Sequence, residues 1–426
     1  MKMKKIISIT AFLLTIVGVF AQTNTISNLQ NISFSEYLKQ VGENNLSYIA
    51  EKYNIDIAEA EALSQRVFPD PELSVEAVNN GKRKDQLGHA FAFELGYTLE
   101  LGNKRGARIH LAKSEVELER LMVDNFFQEL RAEAADAFLD AMMQKELLSV
   151  KKSSYEYMKQ FSISDSIRFS LGEINENEAR QSKLESVTLL NEVYNQEAVY
   201  KSALVTLRQF IGKPIDMLDT PAGDWNVFGR DYILTDLVSQ ALLNRVDLVA
   251  SLKSSEVATN QLRLARAERK IDLGLSVGYE INAEAKNEIA PTPAFNAVKA
   301  GVSIPLKFSN TNKGALKSAE YSIRKTRVEY KNVELQIQKE VAQAFFGYEA
   351  TQKQVQQYQN GLLSDSQKLL DGIVYKYKRG ETNILDVLIA QRTYNEIQEQ
   401  YLEIIKGYAS SLVELQKTCG IWDIEF

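Results

Sequence analysis

Side chains able to do covalent or metal chemistry are scarce in this sequence. The 426 residues include two histidines, His89 and His110, and one cysteine, Cys419. A Cys/His metal cluster or a Ser–His–Asp triad has almost no material to draw on, and no intrachain disulfide can form. There is no HExxH, no Gly-rich phosphate loop and no placeable pair of catalytic carboxylates. The chain is therefore not expected to be an enzyme, and no cofactor or resident metal is expected. With 50 basic and 56 acidic side chains the net charge is -6. A nucleic-acid binder would carry a basic patch, so no nucleic-acid partner is expected. The hydrophobic fraction of 45% supports a real core, and the low counts of Gly (21) and Pro (7) favour long helices.

The first residues set the compartment. Lys2, Lys4 and Lys5 precede an apolar run from Ile6 to Phe20, and Ala21 stands before Gln22. Residues 1–21 read as a secretory signal peptide. The run of roughly 15 residues is short of the ~20 that a membrane-spanning helix needs. Its removal would leave 47 basic against 56 acidic groups, a net charge of -9. No later stretch is a continuous apolar run of membrane length, so membrane entry would have to use strands.

The chain reads as a duplication. Gly106, Gly172 and Gly212 recur as Gly314, Gly380 and Gly420, each pair offset by 208 with similar flanks. Two copies are expected, 31–212 and 231–420, joined by a linker over 213–230. Each copy predicts a helix, two strands and two further helices. The first helices fall over Phe34–Val67, ahead of Pro69 and Pro71, and over Leu234–Lys270. The long helix between Gly106 and Gly172 would span ~100 Å and its return to Gly212 ~60 Å. Val123, Phe127, Leu130, Ala134, Ala137 and Ala141 alternate spacings of 4 and 3, as do Ile337, Val341, Ala344, Tyr348, Thr351, Val355, Tyr358 and Leu362. That period predicts left-handed coiled-coil packing.

Four segments alternate with period two. Leu73, Val75 and Ala77 share one face, as do Phe91 to Leu101 at odd numbers, Leu273 to Ile281 at odd numbers, and Val298 to Leu306 at even numbers. Export, strands of about ten residues and charge opposite the apolar face match transmembrane β-strands. Glu94, Glu100, Asp272 and Glu280 then belong on the lumen side. Four strands cannot close a barrel, and an open edge is not tolerated in lipid, so several chains must share one.

The sequence resembles the TolC-type outer-membrane efflux family over essentially the whole processed chain. The carriers are the duplication, Pro69-Asp70-Pro71-Glu72-Leu73-Ser74, Gly301-Val302-Ser303-Ile304-Pro305-Leu306, and the run from Tyr377 through Gly380-Glu381-Thr382-Asn383 to Leu388. The resemblance implies a mainly α fold with a small β part: a homotrimer whose three sets of four strands make a twelve-stranded barrel in the outer membrane, continued by a helical barrel into the periplasm. It also implies a periplasmic adaptor protein and an inner-membrane transporter as partners, contact with outer-membrane lipid, and an exit duct for small molecules or metal cations. Pro69–Ser74 and Gly102–Arg108 look most like the heavy-metal cation efflux branch.

The same resemblance implies roles at the hairpin turns near Gly172 and Gly380. Tyr377 stands where the family has a tether of the closed duct, with Glu178 as the expected partner. A family arginine is replaced by Thr382. Asp386 matches the first acid of the family's constriction, and Ile389 replaces the second. Arg168, Phe169, Gly172, Lys376 and Gly380 are the expected adaptor contacts. A lone Tyr or Glu on an exposed helix is otherwise ordinarily just solvated. Two other classes share parts of this pattern: a duct for type I protein secretion, and a periplasmic structural coiled-coil protein, which would have no need of four strands with apolar faces.

Overall fold

The computed structural model describes residues 31–79, 86–214, 219–225, 229–306 and 312–424. The expected signal peptide, Lys307, and parts of the linker and of the first interstrand stretch lie outside them. Nine helices and six strands occur among the described residues. The first copy runs α1 (Phe34–Asn44), α2 (Leu46–Ser64), β2 (Glu72–Asn79), β3 (His89–Leu99), α3 (Lys104–Ser170) and α4 (Glu176–Ile211). The second repeats that order as α5 (Leu234–Asn244), α6 (Val246–Glu268), β5 (Leu273–Asn282), β6 (Phe295–Ser303), α7 (Lys313–Gln357), α8 (Leu363–Lys378) and α9 (Ile384–Cys419). Two short strands, β1 (Asn31–Ser33) and β4 (Thr220–Ala222), pair in parallel beside them. No periodicity marks that pair, because each member is three residues long.

The single helix predicted over Phe34–Val67 is two helices. Asn45 adopts an extended conformation, and its side-chain oxygen accepts from the Tyr48 N–H to cap α2. Its Nδ2 donates to the Phe210 carbonyl at 2.9 Å, two residues before the glycine that ends α4. The second copy breaks at Arg245, whose Nη1 donates to the Thr418 carbonyl, again two residues before the final glycine. A β-carbon on Gly212 would lie 2.3 Å from the Asn44 carbonyl oxygen, and its φ of +73° is left-handed. Each return helix therefore ends pressed against the break in its copy's first helix.

The long helix α3 is continuous for 67 residues, a length of ~100 Å. The heptad residues Val123, Leu130, Ala134 and Ala141 are buried, as are Ile337, Val341, Tyr348 and Val355 in α7. The second heptad fails beyond Val355. A π-helical stretch, Tyr358–Leu362, contains non-helical backbone at Asn360 and Gly361 (φ +133°), and Leu362 is exposed. The main core joins both copies where α1, α5 and the middles of the long helices meet: Phe34, Tyr37, Phe138, Leu207, Ile337, Tyr348 and Leu412 are buried there. Cys419 lies in the same core, where burial pushes its thiol up to about 11, so its place is structural.

The sheet is antiparallel in the order β2-β3-β5-β6. Its register aligns Leu73, Leu95, Val277 and Ala300 in one row and Val75, Phe93, Tyr279 and Val298 in the next. These share a face exposed on the chain, 55% for Leu95 and 77% for Val298. The intervening rows carry Ser74, Glu94, Gly278 and Lys299, then Glu76, Ala92, Glu280 and Ala297. The strands are shorter than the alternation suggested. β3 stops at Leu99 and β6 at Ser303, ahead of Pro305, which has no N–H to offer a ladder. Replacing Leu95 with Arg should cost roughly 2–4 kcal/mol of folding into a bilayer if the apolar face meets lipid near its midplane. Refolding titrations into lipid vesicles measure it. A larger loss for Glu94→Leu than for Leu95→Arg would invert the facing.

Candidate functional site at the hairpin tips

Both hairpins turn through the same backbone motif. At the end of α3 the Gly172 N–H donates to the Phe169 carbonyl and the Glu173 N–H to the Arg168 carbonyl. At the end of α8 the Gly380 N–H donates to Tyr377 and the Glu381 N–H to Lys376. Both glycines have φ near +75°, +76° and +73°, with open space around them. The left-handed backbone alone calls for glycine here.

The return helices start alike as well. Asn175 caps α4: its side chain accepts from the Glu178 N–H at 3.0 Å, and the Glu178 carboxylate accepts from the Asn175 N–H at 3.2 Å, a reciprocal capping box. Asn383 caps α9 by accepting from the Asp386 N–H at 3.1 Å. Asp386 has a shorter arm than Glu178, and its carboxylate accepts the Thr382 hydroxyl instead. Glu178 and Asp386 are thus one position of the repeat, offset by 208. Both are negative charges in a helix's first turn, where the dipole favours them.

Tyr377 does not pair with Glu178 within the chain. Its hydroxyl donates to Asp165 Oδ1 at 3.1 Å, and both side chains are buried, Tyr377 3% exposed and Asp165 1%. Burial raises the Tyr377 phenol well above its usual value, and the neighbouring Asp165 carboxylate adds to the rise. The Arg168 guanidinium lies 5.0 Å over the Tyr377 ring and 3.9 Å from Asp165, and its Nε donates to Glu173. Arg168 therefore lids a buried pair, while Phe169, Lys376 and the two turn glycines are exposed at the tip. The surrounding apolar cluster holds Met158, Phe161, Leu370, Val374, Ile384 and Val387. Sequence reasoning missed Asp165, although a signal was present. Ser154, Met158, Phe161 and Asp165 follow 4-3-4 spacing and all are buried, so the acid occupies a core position of the heptad.

Further polar ties join the two hairpins above the tip. Arg392 grips Glu185 through two hydrogen bonds, 3.0 and 2.6 Å. Lys151 pairs with Glu192 on α4 and Glu399 on α9. The Ser154 hydroxyl donates to Asn395 at 2.7 Å. At the opposite end of α3, the acids expected in the lumen divide. Glu94 and Glu280 lie on the polar sheet face, with Glu280 paired to Lys299. Glu100 and Asp272 stand one residue beyond the strands. Glu100 takes two hydrogen bonds from Arg108, 2.6 and 2.8 Å, and Asp272 pairs with the buried Lys104. Those two pairs fasten the sheet to α3. Among the described residues no three His, Cys, Asp or Glu side chains cluster to hold a metal ion, and no helix is long and apolar enough to cross a membrane.

The chain is thus built of long paired helices that end in a small sheet with an exposed apolar face. Residues 237–420, nearly all of the second copy, match the family described as outer membrane efflux protein. The first copy repeats the same elements in order, and the chain as a whole is similar to members of that family. The cobalt-zinc-cadmium resistance protein CzcC of Cupriavidus metallidurans is 22% identical over 376 residues, covering 88% of this chain and 86% of that protein. Among solved structures, CusC superposes with a TM-score of 0.75 at 16% identity, covering 93% of this chain and 96% of its own. The Campylobacter jejuni CmeC outer membrane channel does so with a TM-score of 0.73 at 16% identity, covering 93% and 90%. The structural likenesses establish the fold.

A double-mutant cycle separates the two partners offered for Tyr377. Tyr377→Phe combined with Asp165→Ala should show a coupling of about 1 kcal/mol or more, and Tyr377→Phe combined with Glu178→Ala less than about 0.5 kcal/mol. Local opening energies from amide hydrogen exchange at the tip provide the values. A stronger coupling to Glu178 would restore it as the tether.

Proposed function

We propose that three copies of this chain form an outer-membrane exit duct of a tripartite efflux system, extending into the periplasm. Each copy contributes four strands to a shared twelve-stranded barrel and its long hairpins to a helical barrel beneath. A periplasmic adaptor docks at the tips, with Phe169, Lys376 and the turn glycines as contacts, and an inner-membrane transporter supplies the cargo. The observation that carries this reading is the sheet. Its apolar face is exposed and its outer strands β2 and β6 each have an unpaired edge among the described residues. A soluble coiled-coil protein has no use for such a face, whereas a shared barrel in lipid needs both features.

Divalent metal cations are the favoured cargo. The resistance protein that is similar over 88% of the chain is named for cobalt, zinc and cadmium. Three copies of Asp386 around one axis would add a ring of carboxylates at the constriction, and acidic rings favour cations in a pore. Deleting the gene should lower tolerance to zinc, cobalt or cadmium while leaving tolerance to hydrophobic drugs nearly unchanged. The reverse pattern of growth inhibition would assign a drug pump.

In planar bilayers the closed channel should be modestly cation-selective and blocked by divalent cations added on the tip side. Asp386→Asn should reduce both properties without raising conductance. Tyr377→Phe, by contrast, should raise conductance and leave selectivity in place. Unchanged block in Asp386→Asn would place the constriction elsewhere.

A further inference from the structure

The Tyr377–Asp165 hydrogen bond joins positions that are not equivalent in the two copies. The 208-residue offset places Ile373 at the position of Asp165 and Phe169 at that of Tyr377, so only one of the two possible links is polar. Above it the second long helix is interrupted at Asn360 and Gly361, whereas α3 runs unbroken through the matching Lys152 and Ser153. Segment α8, 16 residues long, is therefore bounded by a bend at one end and by the Tyr377 link at the other.

The acceptor in that link is unusually placed. Asp165 Oδ2 is buried with no hydrogen-bond partner. On its own helix Arg168 stands 3.9 Å away and is shared with Glu173 and the Tyr377 ring. From α4 come the Glu178 carboxylate and the Ser182 hydroxyl, and from α8 come Tyr377 and Lys378, which line the same cavity of about 260 Å³. Helix α9 presents Ile384, Val387 and Leu388 to this core. An ionised carboxylate here bears its charge in a buried site. The protonated acid keeps the Tyr377 bond and loses that penalty.

We propose that α8 is a hinged latch of the duct, docked on α3 when Asp165 is protonated and released about Gly361 when Asp165 ionises. The proposal rests on the tips being the gate and adds a proton to its control. Its sign follows from the surroundings. Burial holds the Asp165 carboxyl above its ordinary value, and the Glu178 charge adds to the rise, while Ser182, Tyr377 and Arg168 oppose it. Released into water, the carboxyl returns to about 4. The docked state binds the proton more tightly, so docking is fully favoured below that value and is lost as pH rises through the raised one.

Hydrogen exchange of the α8 peptides in the full chain in detergent, from pH 4 to 8 and corrected for intrinsic rates, tests this. Opening of α8 in the unmodified protein should grow with pH, by at most about tenfold per unit for one linked proton, then level off. Asp165→Asn should hold opening low and flat across the range. Tyr377→Phe should raise it at every pH. An unmodified protein with flat opening, or an Asp165→Asn variant that keeps the slope, overturns the latch. Bilayer conductance over the same pH range separates the two readings: if α8 opens with pH while conductance stays constant, the latch stands and the gate lies elsewhere.

Discussion

A backbone in lipid must pair every N–H and C=O within protein, and four strands cannot do so alone. The antiparallel order β2-β3-β5-β6 leaves two edges, and its apolar rows face outward from the chain. Much of the remaining architecture serves this small element. The central pair, β3 and β5, comes from different copies, so the duplication itself closes the middle of the sheet. Lys104–Asp272 and Arg108–Glu100 fix the angle at which the strands leave α3. The polar face, with Glu280 against Lys299, can border water once copies complete the wall. In a bilayer such a sheet requires self-association, and the proposed trimer would supply it.

Below the sheet the two copies keep their symmetry at the helix breaks and the turns and lose it along the second long helix. The first helices break at Asn45 and Arg245, two chemically different residues that both donate to a carbonyl two positions before a terminal glycine. The turns at Gly172 and Gly380 share one hydrogen-bond pattern. Glu178 and Asp386 hold the same capping position. The departure begins at Gly361, where the second long helix bends and the first does not. It continues to the tip, where Asp165 of one copy meets Tyr377 of the other across a core of aliphatic and aromatic side chains.

The sequence carried much of this in its periodicities. Of the glycines offset by 208, Gly172/Gly380 and Gly212/Gly420 marked turn and cap positions, because left-handed backbone admits few other residues, whereas Gly106 and Gly314 lie in the first turns of their helices. Period two located all four strands of the sheet, and 3-4 spacing located the buried stripe of α3. What was hidden depended on contacts distant along the chain. Asn45 reads as an ordinary helical residue until Phe210 is beside it. The β1–β4 pair spans too few residues to show a period. Lys104 and Arg108 carry nothing in their local sequence to reveal that they pair with Asp272 and Glu100. At the tip the resemblance pointed to Tyr377 and Glu178, whereas within the chain the Tyr377 hydroxyl donates to Asp165. The acid that meets it was visible only as a charge at a heptad core position.

The mass of the folded particle in mild detergent, measured by native mass spectrometry after signal-peptide removal, bears most directly on this account. A shared barrel predicts a particle of three chains that dissociates only as it unfolds. A stable folded monomer, with its sheet edges unpaired, would contradict it.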